Sequence, residues 1–294
     1  MSRGSATLPV CPGIGGLLDG FDGLILDLWG VIHDGHNAYP DAAATLKAVQ
    51  RSGRRAVMLS NAPRRAGELV RQLADFGIPE DLYHAVLSSG EAVYRELSAP
   101  TDAAFKALGR RLYHLGPPRD RNLFEDLEGY QEAPLETADF ILNTGPWSFD
   151  ETVADYEERL QAGAARRLPM VCANPDQVVI RAGRPVVCAG ALARRYQELD
   201  GQVIYRGKPD PAIYAQCLDL LGLPAERVAV VGDAFETDVK GAQAAGLAAI
   251  WCTGGIHAAE LGISHGTSPD PAKALALAER FDLWPLAAIP AFRW

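Results

Sequence analysis

Short apolar runs alternate with longer amphipathic stretches in the first and last thirds of the chain. The runs at 23–28, 56–59, 228–231 and 247–252 are too short for helices and predict buried strands. The intervening stretches carry apolar residues at helical spacing and predict four helices, at 41–51, 63–76, 211–221 and 236–245. Alternating strands and helices predict right-handed βαβ units, and therefore an α/β fold with a parallel sheet.

Three polar side chains stand at the carboxyl ends of these predicted strands. They are Asp27, Ser60 and Asp233. Ligands of open parallel sheets bind at this edge. We therefore expect the functional site to lie there.

The middle of the chain has a different pattern. Further strands are predicted at 110–115, 139–142 and 169–172, and a polar, charge-rich stretch at 117–136 separates the first two. This segment lies between the first and last groups of strand-end residues, which predicts an inserted domain. We expect a discontinuous core of 1–84 and 206–294 around a second domain of 85–205.

Composition limits the class of partner. The 294 residues include 37 acidic and 28 basic side chains, a net charge of −9. This balance argues against nucleic acid or an anionic membrane as a partner, but does not exclude a phosphate ester, because a local pocket can be positive. The five scattered cysteines form no CxxC pair, and no signal peptide or run of about 20 apolar residues is present. We expect a cytoplasmic protein.

The strand-end residues suggest phosphate chemistry. Asp27 is suited to act as a nucleophile or a metal ligand. Ser60 and Asn61 offer a hydroxyl and backbone N–H groups for phosphate oxygens. Lys208, directly before a predicted helix, can neutralise a phosphate or hold a carboxylate.

Two further carboxylates suggest that a cation binds here. Asp233 lies in a loop and Asp238 in the first turn of the next predicted helix, so both can face a hard ion such as Mg²⁺.

Each of these residues also has a simpler structural interpretation. Asp27 could be a turn residue, Ser60 a cap for the helix after Pro63, and Lys208 a solvated surface lysine. Asp238 could serve only the helix dipole. Their order along the chain favours the functional interpretation.

That order resembles the four motifs of the haloacid dehalogenase-like (HAD) superfamily. The motifs are Asp27 with its apolar lead-in, Ser60-Asn61, Gly207-Lys208-Pro209, and Gly232-Asp233 followed by Thr237-Asp238. The insertion between the second and third motifs resembles the C2 cap of subclass IIA, which includes the NagD-like phosphatases. Asn174-Pro175-Asp176 is similar to the NPD element of that group. The resemblance implies a Rossmann-like core with an inserted α/β cap.

The resemblance also implies roles for individual residues. Asp27 would attack phosphorus and form an aspartyl-phosphate. Mg²⁺ would be held by Asp27, the backbone carbonyl of Trp29 and Asp233, with Asp238 close by. The phosphoryl oxygens would be bound by Ser60 and Lys208. The further substrate or phosphate contacts would come from Asn61, Asn174 and Asp176.

One position departs from the family pattern. HAD phosphatases usually carry Asp-x-Asp at the first motif, whereas this chain has Asp27-Leu28-Trp29. An indole cannot protonate a leaving alkoxide, and general acid–base help is typically worth ~10²–10⁴-fold. His33 or Asp34 could supply the proton. Alternatively, the substrate has a good leaving group, as in an acyl phosphate, or catalysis has been lost.

The expected activity is Mg²⁺-dependent hydrolysis of a small phosphorylated metabolite, such as a sugar phosphate or a nucleotide. The alternative is a weakly catalytic or non-catalytic protein that binds a phosphometabolite, because Trp29 replaces the usual acid. The apolar end of the chain, 281–294, is expected to pack on the core, and a homodimer contact is a second use for it.

Overall fold

Buried apolar strands, most of them followed by a helix, form the framework of the protein. The computed structural model describes residues 7–181 and 184–294. The described strands are β1 Gly23–Asp27, β2 Arg55–Ser60, β3 Ala85–Ser88, β4 Arg111–Leu115, β5 Gln131–Glu132, β6 Phe140–Asn143, β7 Met170–Cys172, β8 Val178–Arg181, β9 Arg184–Val187, β10 Val203–Tyr205, β11 Val228–Gly232, β12 Ala248–Cys252 and β13 Ala287–Ile289.

The α-helices lie between these strands. They are α1 Ala42–Arg51, α2 Ala66–Asp75, α3 Ser89–Ser98, α4 Ala103–Lys106, α5 Glu157–Ala165, α6 Ala189–Glu198, α7 Pro211–Leu221, α8 Lys240–Ala244, α9 Ala258–Leu261 and α10 Pro271–Phe281. A π-helical turn, Phe235–Val239, leads directly into α8. Within the described residues no helix is long and apolar enough to cross a bilayer.

The first compact unit comprises the described residues up to Leu59, together with Val70–Val86 and Pro209–Trp294. The six-stranded sheet has the order β13-β12-β11-β1-β2-β3. β1 pairs in parallel with β11 on one side and β2 on the other, with Leu24 opposite Ala229 and Ala56. Every residue of β1 is buried, as expected of a central parallel strand.

The second compact unit comprises Ser60–Leu69 and Leu87–Lys208. Its sheet has the order β10-β7-β6-β4-β5 with parallel pairing throughout, and β8 and β9 form a separate antiparallel hairpin. Alternate strand residues enter two apolar clusters. Ile141 packs in a cluster with residues of α5 and α6, whereas its neighbour Leu142 packs in one with residues of α3. Helices therefore cover both faces of this sheet.

The predicted α/β class with parallel sheets is confirmed. Two details differ from the predicted elements. The helix predicted at 63–76 begins only at Ala66, and the helix predicted at 236–245 opens with the π-helical turn. The second unit also contains residues 60–69, a grouping that the sequence did not suggest.

Candidate active site

Three buried carboxylates come together at the carboxyl edge of the six-stranded sheet. Asp27 ends β1, and Asp233 follows β11, which is the parallel neighbour of β1. Asp238 lies in the π-helical turn. One oxygen from each side chain lies within 4.8 Å of the others, and the residues are 6%, 6% and 2% exposed, respectively. Asp27, Asp233 and Asp238, all predicted from sequence, therefore lie close together, and their function stays a prediction.

The position of Asp233 depends on two glycines. A Cβ atom on Gly30, which has a φ of +80°, or on Gly255 would overlap Asp233 Oδ2. The backbone N–H of Ile256 donates to the same oxygen at 2.7 Å, and the Trp251 indole N–H donates to the Asp233 carbonyl at 3.0 Å. The loop after β12 thus fixes this carboxylate, a role that the sequence analysis missed. The available sign of this role in the sequence was the pair of glycines shortly after β12, the strand next to β11.

Asp238 is held by the strand end that precedes it. Its Oδ2 accepts a hydrogen bond from the Ala234 N–H at 3.2 Å, and a Cβ on Gly232 would overlap the Asp238 side chain. The Tyr214 hydroxyl donates to the Asp238 carbonyl at 3.3 Å. The carboxylate therefore packs directly over the end of β11.

The site has a strongly negative character. Burial, together with the charges of Asp233 and Asp27, raises the pKa of the Cys252 thiol to about 12, so that this thiol is unreactive. Buried carboxylates so close together repel one another unless a cation or protons neutralise them. Oxygen-only ligands are those that Mg²⁺ and Ca²⁺ prefer. The residues present therefore fit a hard divalent cation.

Trp29 packs into the turn that follows β1. Its ring meets His33 edge-on, with 5.5 Å between centroids, and a Cβ on Gly35 would overlap the indole. His33 is 3% exposed and also meets Phe76 edge-on, and its Nδ1 accepts the Gly35 N–H at 3.0 Å. The proton of neutral His33 is therefore on Nε2.

Asp34 stabilises the same turn. Its Oδ1 accepts the backbone N–H groups of His36 and Asn37, both at 2.8 Å. Burial alone would raise the pKa of Asp34, but these two hydrogen bonds leave it lowered. Asp34 is therefore an ionised turn residue at neutral pH.

In the second unit, Asn61 connects two other predicted site residues. Its side-chain nitrogen donates to Asp176 Oδ1 at 2.8 Å and to the Lys208 carbonyl at 3.1 Å, while its Oδ1 accepts the Lys208 N–H at 2.8 Å. Asn174 Oδ1 in turn accepts the Asp176 N–H at 3.0 Å. The side chains of Asn61, Asn174 and Asp176 thus fix the backbone around Lys208 and the NPD element.

Ser60 and Lys208 are both buried, with exposed fractions of 7% and 3%. The Ser60 hydroxyl accepts the Ala62 N–H at 3.1 Å, which closes a tight turn. The first turn of α2 instead uses Glu91, whose Oε2 accepts the Ala66 N–H at 3.2 Å. Ser60 is therefore not the cap of that helix, and Lys208 is not a solvated surface lysine.

Buried polar side chains in the second unit were also missed. His114 Nε2 lies 2.9 Å from the Thr144 hydroxyl. His114, Thr144 and Asp120 are all at most 6% exposed. Asp120 lies in the charge-rich stretch, which gave no signal of burial, whereas His114 lies in a predicted strand.

Comparison with known proteins assigns the chain to a family. A family model described as haloacid dehalogenase-like hydrolase matches residues 24–129, and a HAD-hydrolase-like model matches residues 205–275. The ribonucleotide monophosphatase NagD of Escherichia coli is 26% identical over 240 residues, which cover 79% of this chain and 88% of that protein.

Two further relatives are more similar in sequence. The phosphoserine phosphatase of Thermus thermophilus is 30% identical over 65% of this chain and 74% of its own length. A haloacid dehalogenase-like hydrolase from Brucella suis has a TM-score of 0.82 and 31% identity, covering 96% of this chain and 99% of that one. The chain therefore belongs to the haloacid dehalogenase-like hydrolases, within subclass IIA of NagD-like phosphatases.

Proposed function

We propose that this HAD-type phosphatase hydrolyses a small phosphorylated metabolite through an aspartyl-phosphate on Asp27, with Mg²⁺ as its cofactor. The observation that carries the proposal is the cluster of three buried carboxylates at the sheet edge. Buried carboxylates repel a phosphate, so the cluster needs a cation before it can receive one. A nucleophile beside two cation ligands would explain why three carboxylates are buried together.

In the proposed reaction, one oxygen of Asp27 attacks phosphorus, and the bond between phosphorus and the leaving oxygen breaks. Water then attacks the same phosphorus and returns the Asp27 carboxylate, releasing inorganic phosphate. Asp27, the Trp29 carbonyl, Asp233 and Asp238 would hold Mg²⁺. The cation would neutralise the charge that builds up on the transferring group.

We assign the phosphoryl contacts to the Ser60 hydroxyl, the Asn61 backbone N–H and the Lys208 ammonium group. The support is chemical, since a hydroxyl, an N–H and a cation are typical phosphate donors. The Asn61 side chain is already bonded to Lys208 and Asp176, so its role would be to position the lysine. Asn174 and Asp176 would orient the substrate through the backbone they hold.

The leaving group is the part of the substrate that the site constrains most. Asp34 is an ionised turn residue, and His33 offers only Nε2 from a ring that is 3% exposed. We therefore propose a substrate whose leaving group departs without an acid, such as an acyl phosphate or an anhydride. The alternative is that His33 Nε2 protonates the leaving oxygen.

Phosphate release from acyl, aryl and alkyl phosphates tests these proposals. Wild-type protein with Mg²⁺ should be active on acyl phosphates, and Asp27→Asn or EDTA should abolish the activity. Trp29→Asp should raise alkyl phosphate hydrolysis by ~10²–10⁴-fold, with Trp29→Phe as the packing control. A selective loss of alkyl phosphate turnover in His33→Gln, with acyl phosphate turnover retained, would favour the histidine acid. Activity in Trp29→Asp alone would favour the non-catalytic alternative.

A further inference from the structure

Two guanidinium groups of the second unit contact the same aromatic ring. The Arg119 guanidinium carbon lies 5.2 Å from the centroid of the Phe149 ring, and that of Arg181 lies 4.1 Å away. Burial lowers the pKa of Arg119; the charge of Asp120 raises it, and the charges of Arg64 and Arg181 lower it. The guanidinium groups of Arg119 and Arg181 therefore lie close to one ring, with Asp120 beside the first of them.

These side chains gather at the carboxyl edge of the five-stranded sheet. Arg119 follows β4, and Phe149 follows β6, the strand paired with β4. Arg181 ends β8, in the hairpin that follows β7. Loops at this edge of a parallel sheet are where ligands usually bind.

Several arginines of this unit pair closely with a carboxylate, whereas Arg119 and Arg181 do not. Arg111 lies 2.6 Å from Asp139, and Arg195 lies 2.6 Å from Glu157. Within residues 7–181 and 184–294, Arg181 has no ion pair with a carboxylate, and Arg119 approaches Asp120 only to 3.9 Å. One loose ion pair leaves these two guanidinium groups with a net positive charge, which attracts an anion.

Asp120 is the carboxyl group beside Arg119, and it limits the positive charge of the group. It is 1% exposed, and its Oδ1, the oxygen that faces Arg119, has no hydrogen-bond partner within the described part of the chain. Burial raises the pKa of Asp120 to about 6. An organic anion has no proton to donate to this oxygen, so the ionised carboxylate of Asp120 opposes anion binding.

There is also room for an organic molecule beside the arginines. Arg181 and Phe149 line a cavity of about 460 Å³ together with Arg184 and Val186. Small-molecule sites typically measure ~300–1,000 Å³ and combine apolar walls with a few charged groups. Glu151 also lines the cavity, but its carboxylate already accepts hydrogen bonds from the Ser148 N–H and the Tyr156 hydroxyl.

We propose that Arg119 and Arg181 form an anion-binding site in the second unit, which takes the carboxylate or phosphate group of a small organic anion. Guanidinium groups present forked N–H donors that match both kinds of anion. Cation–π contact with Phe149 keeps both guanidinium groups beside one ring. The anion is either a second charged group of the phosphorylated substrate or a free effector. Only the first source rests on the proposed function.

Calorimetry with isophthalate, a dicarboxylate that carries no phosphoryl group, tests the site without turnover. The full chain in EDTA should bind it, and Arg119→Gln and Arg181→Gln should each weaken binding by about tenfold or more. Arg194→Gln is the matched control, because it removes a cap arginine that is 71% exposed and pairs with Glu198. Failure of wild-type protein to bind, or equal affinity in all the variants, would overturn the proposal.

The Asp120→Asn variant tests whether negative charge at this position weakens anion binding. At pH 8 this carboxyl is ionised and repels an anion, so the variant should bind isophthalate more tightly than wild-type protein. Circular dichroism establishes that the variant is folded. Weaker or unchanged binding by folded Asp120→Asn would contradict the proposal.

Kinetics with phenyl phosphate and 4-carboxyphenyl phosphate then identify the source of the anion. If the site takes a second substrate group, Arg181→Gln should lower kcat/KM by about tenfold for the carboxylated compound only. If it takes an effector, isophthalate should change phenyl phosphate turnover in wild-type protein and not in Arg181→Gln. Both results support the site. If neither compound releases phosphate, the acyl phosphate assay alone decides the proposed function, and calorimetry alone decides whether the anion site exists.

Discussion

The side-chain nitrogen of Asn61 donates a hydrogen bond to Asp176 Oδ1 at 2.8 Å across 115 positions of sequence. The same side chain bonds both the N–H and the carbonyl of Lys208. One side-chain amide thus forms hydrogen bonds that connect three separate segments of the chain, whose proximity the sequence indicated only through the order of the motifs. The second, third and NPD motifs meet at Asn61.

Removing this amide should weaken the protein and misplace Lys208. Asn61→Ala removes the side-chain hydrogen bonds to the buried backbone of Lys208 and to the half-buried carboxylate of Asp176, which costs about 1–3 kcal/mol in the free energy of unfolding. Urea unfolding of Asn61→Ala, Asp176→Ala and the double variant measures the coupling between the two side chains. We expect a coupling free energy of about 0.5–3 kcal/mol. Additive effects of the single variants would show that the bond contributes nothing.

A methyl group on Gly255 should disturb the metal site. Its Cβ would overlap the carboxylate of Asp233, so Gly255→Ala should lower the free energy of unfolding by about 1–3 kcal/mol and weaken Mg²⁺ binding. Gly67→Ala is the matched control, because no atom lies within 4 Å of the added Cβ and the residue is helical. That control should gain about 0.5–1 kcal/mol. Unchanged Mg²⁺ affinity in Gly255→Ala would contradict the assigned role of the loop.

Neutralising Asp238 should have opposite effects with and without metal. Without Mg²⁺, Asp238→Asn removes one of three repelling buried charges and should raise the melting temperature. With Mg²⁺, wild-type protein should gain about 2.7 kcal/mol of stability at a concentration 100 times Kd, and the variant much less. Thermal unfolding with EDTA and with Mg²⁺ measures both effects. A variant that is less stable without metal, yet gains as much from Mg²⁺ as wild-type protein, would refute the cation site.

His114 should make the second unit sensitive to acid. Burial, and then the charge of Arg121, lowers the pKa of His114 to about 4, whereas an unfolded histidine has a pKa of about 6.5. Its contribution to stability is therefore fully present above pH 6.5 and is lost as the pH falls toward 4. Between pH 8 and pH 5 the loss should be about 2 kcal/mol.

Comparison with His114→Gln isolates this effect. Glutamine can still bond the Thr144 hydroxyl but does not titrate, so the free energy of unfolding should fall by about 2 kcal/mol less than in wild-type protein over the same pH range. Asp120 titrates in both proteins and cancels in the comparison. His36→Gln, an exposed histidine in the first unit, is the control. Parallel pH profiles for wild-type protein and His114→Gln would disprove the prediction.

The carboxylate cluster could be predicted from sequence because parallel strands end at a common edge. Once 23–28 and 228–231 are recognised as strands, Asp27 and Asp233 must lie near each other if the strands are neighbours. The packing around them could not be predicted in this way. The approach of Gly255 to Asp233 depends on a loop whose path no local pattern specifies.

The burial and contacts of individual charged residues could not be predicted from the sequence either. Asp120 lies in a stretch that reads as solvated, yet it is 1% exposed, because the burial of a side chain depends on the strands packed around it. Asp34 illustrates the converse. The sequence made it a candidate proton donor, whereas its carboxylate accepts two hydrogen bonds within a turn.

The phosphoenzyme is the most direct test of the central claim that Asp27 is the nucleophile. Protein mixed with an acyl phosphate and Mg²⁺ is quenched in acid during turnover, digested and examined by mass spectrometry. Our account predicts a phosphorylated peptide containing Asp27 in wild-type protein, and neither that peptide nor phosphate release in Asp27→Asn. Phosphate release by Asp27→Asn at the wild-type rate, or a phosphoryl group on another residue, would contradict it.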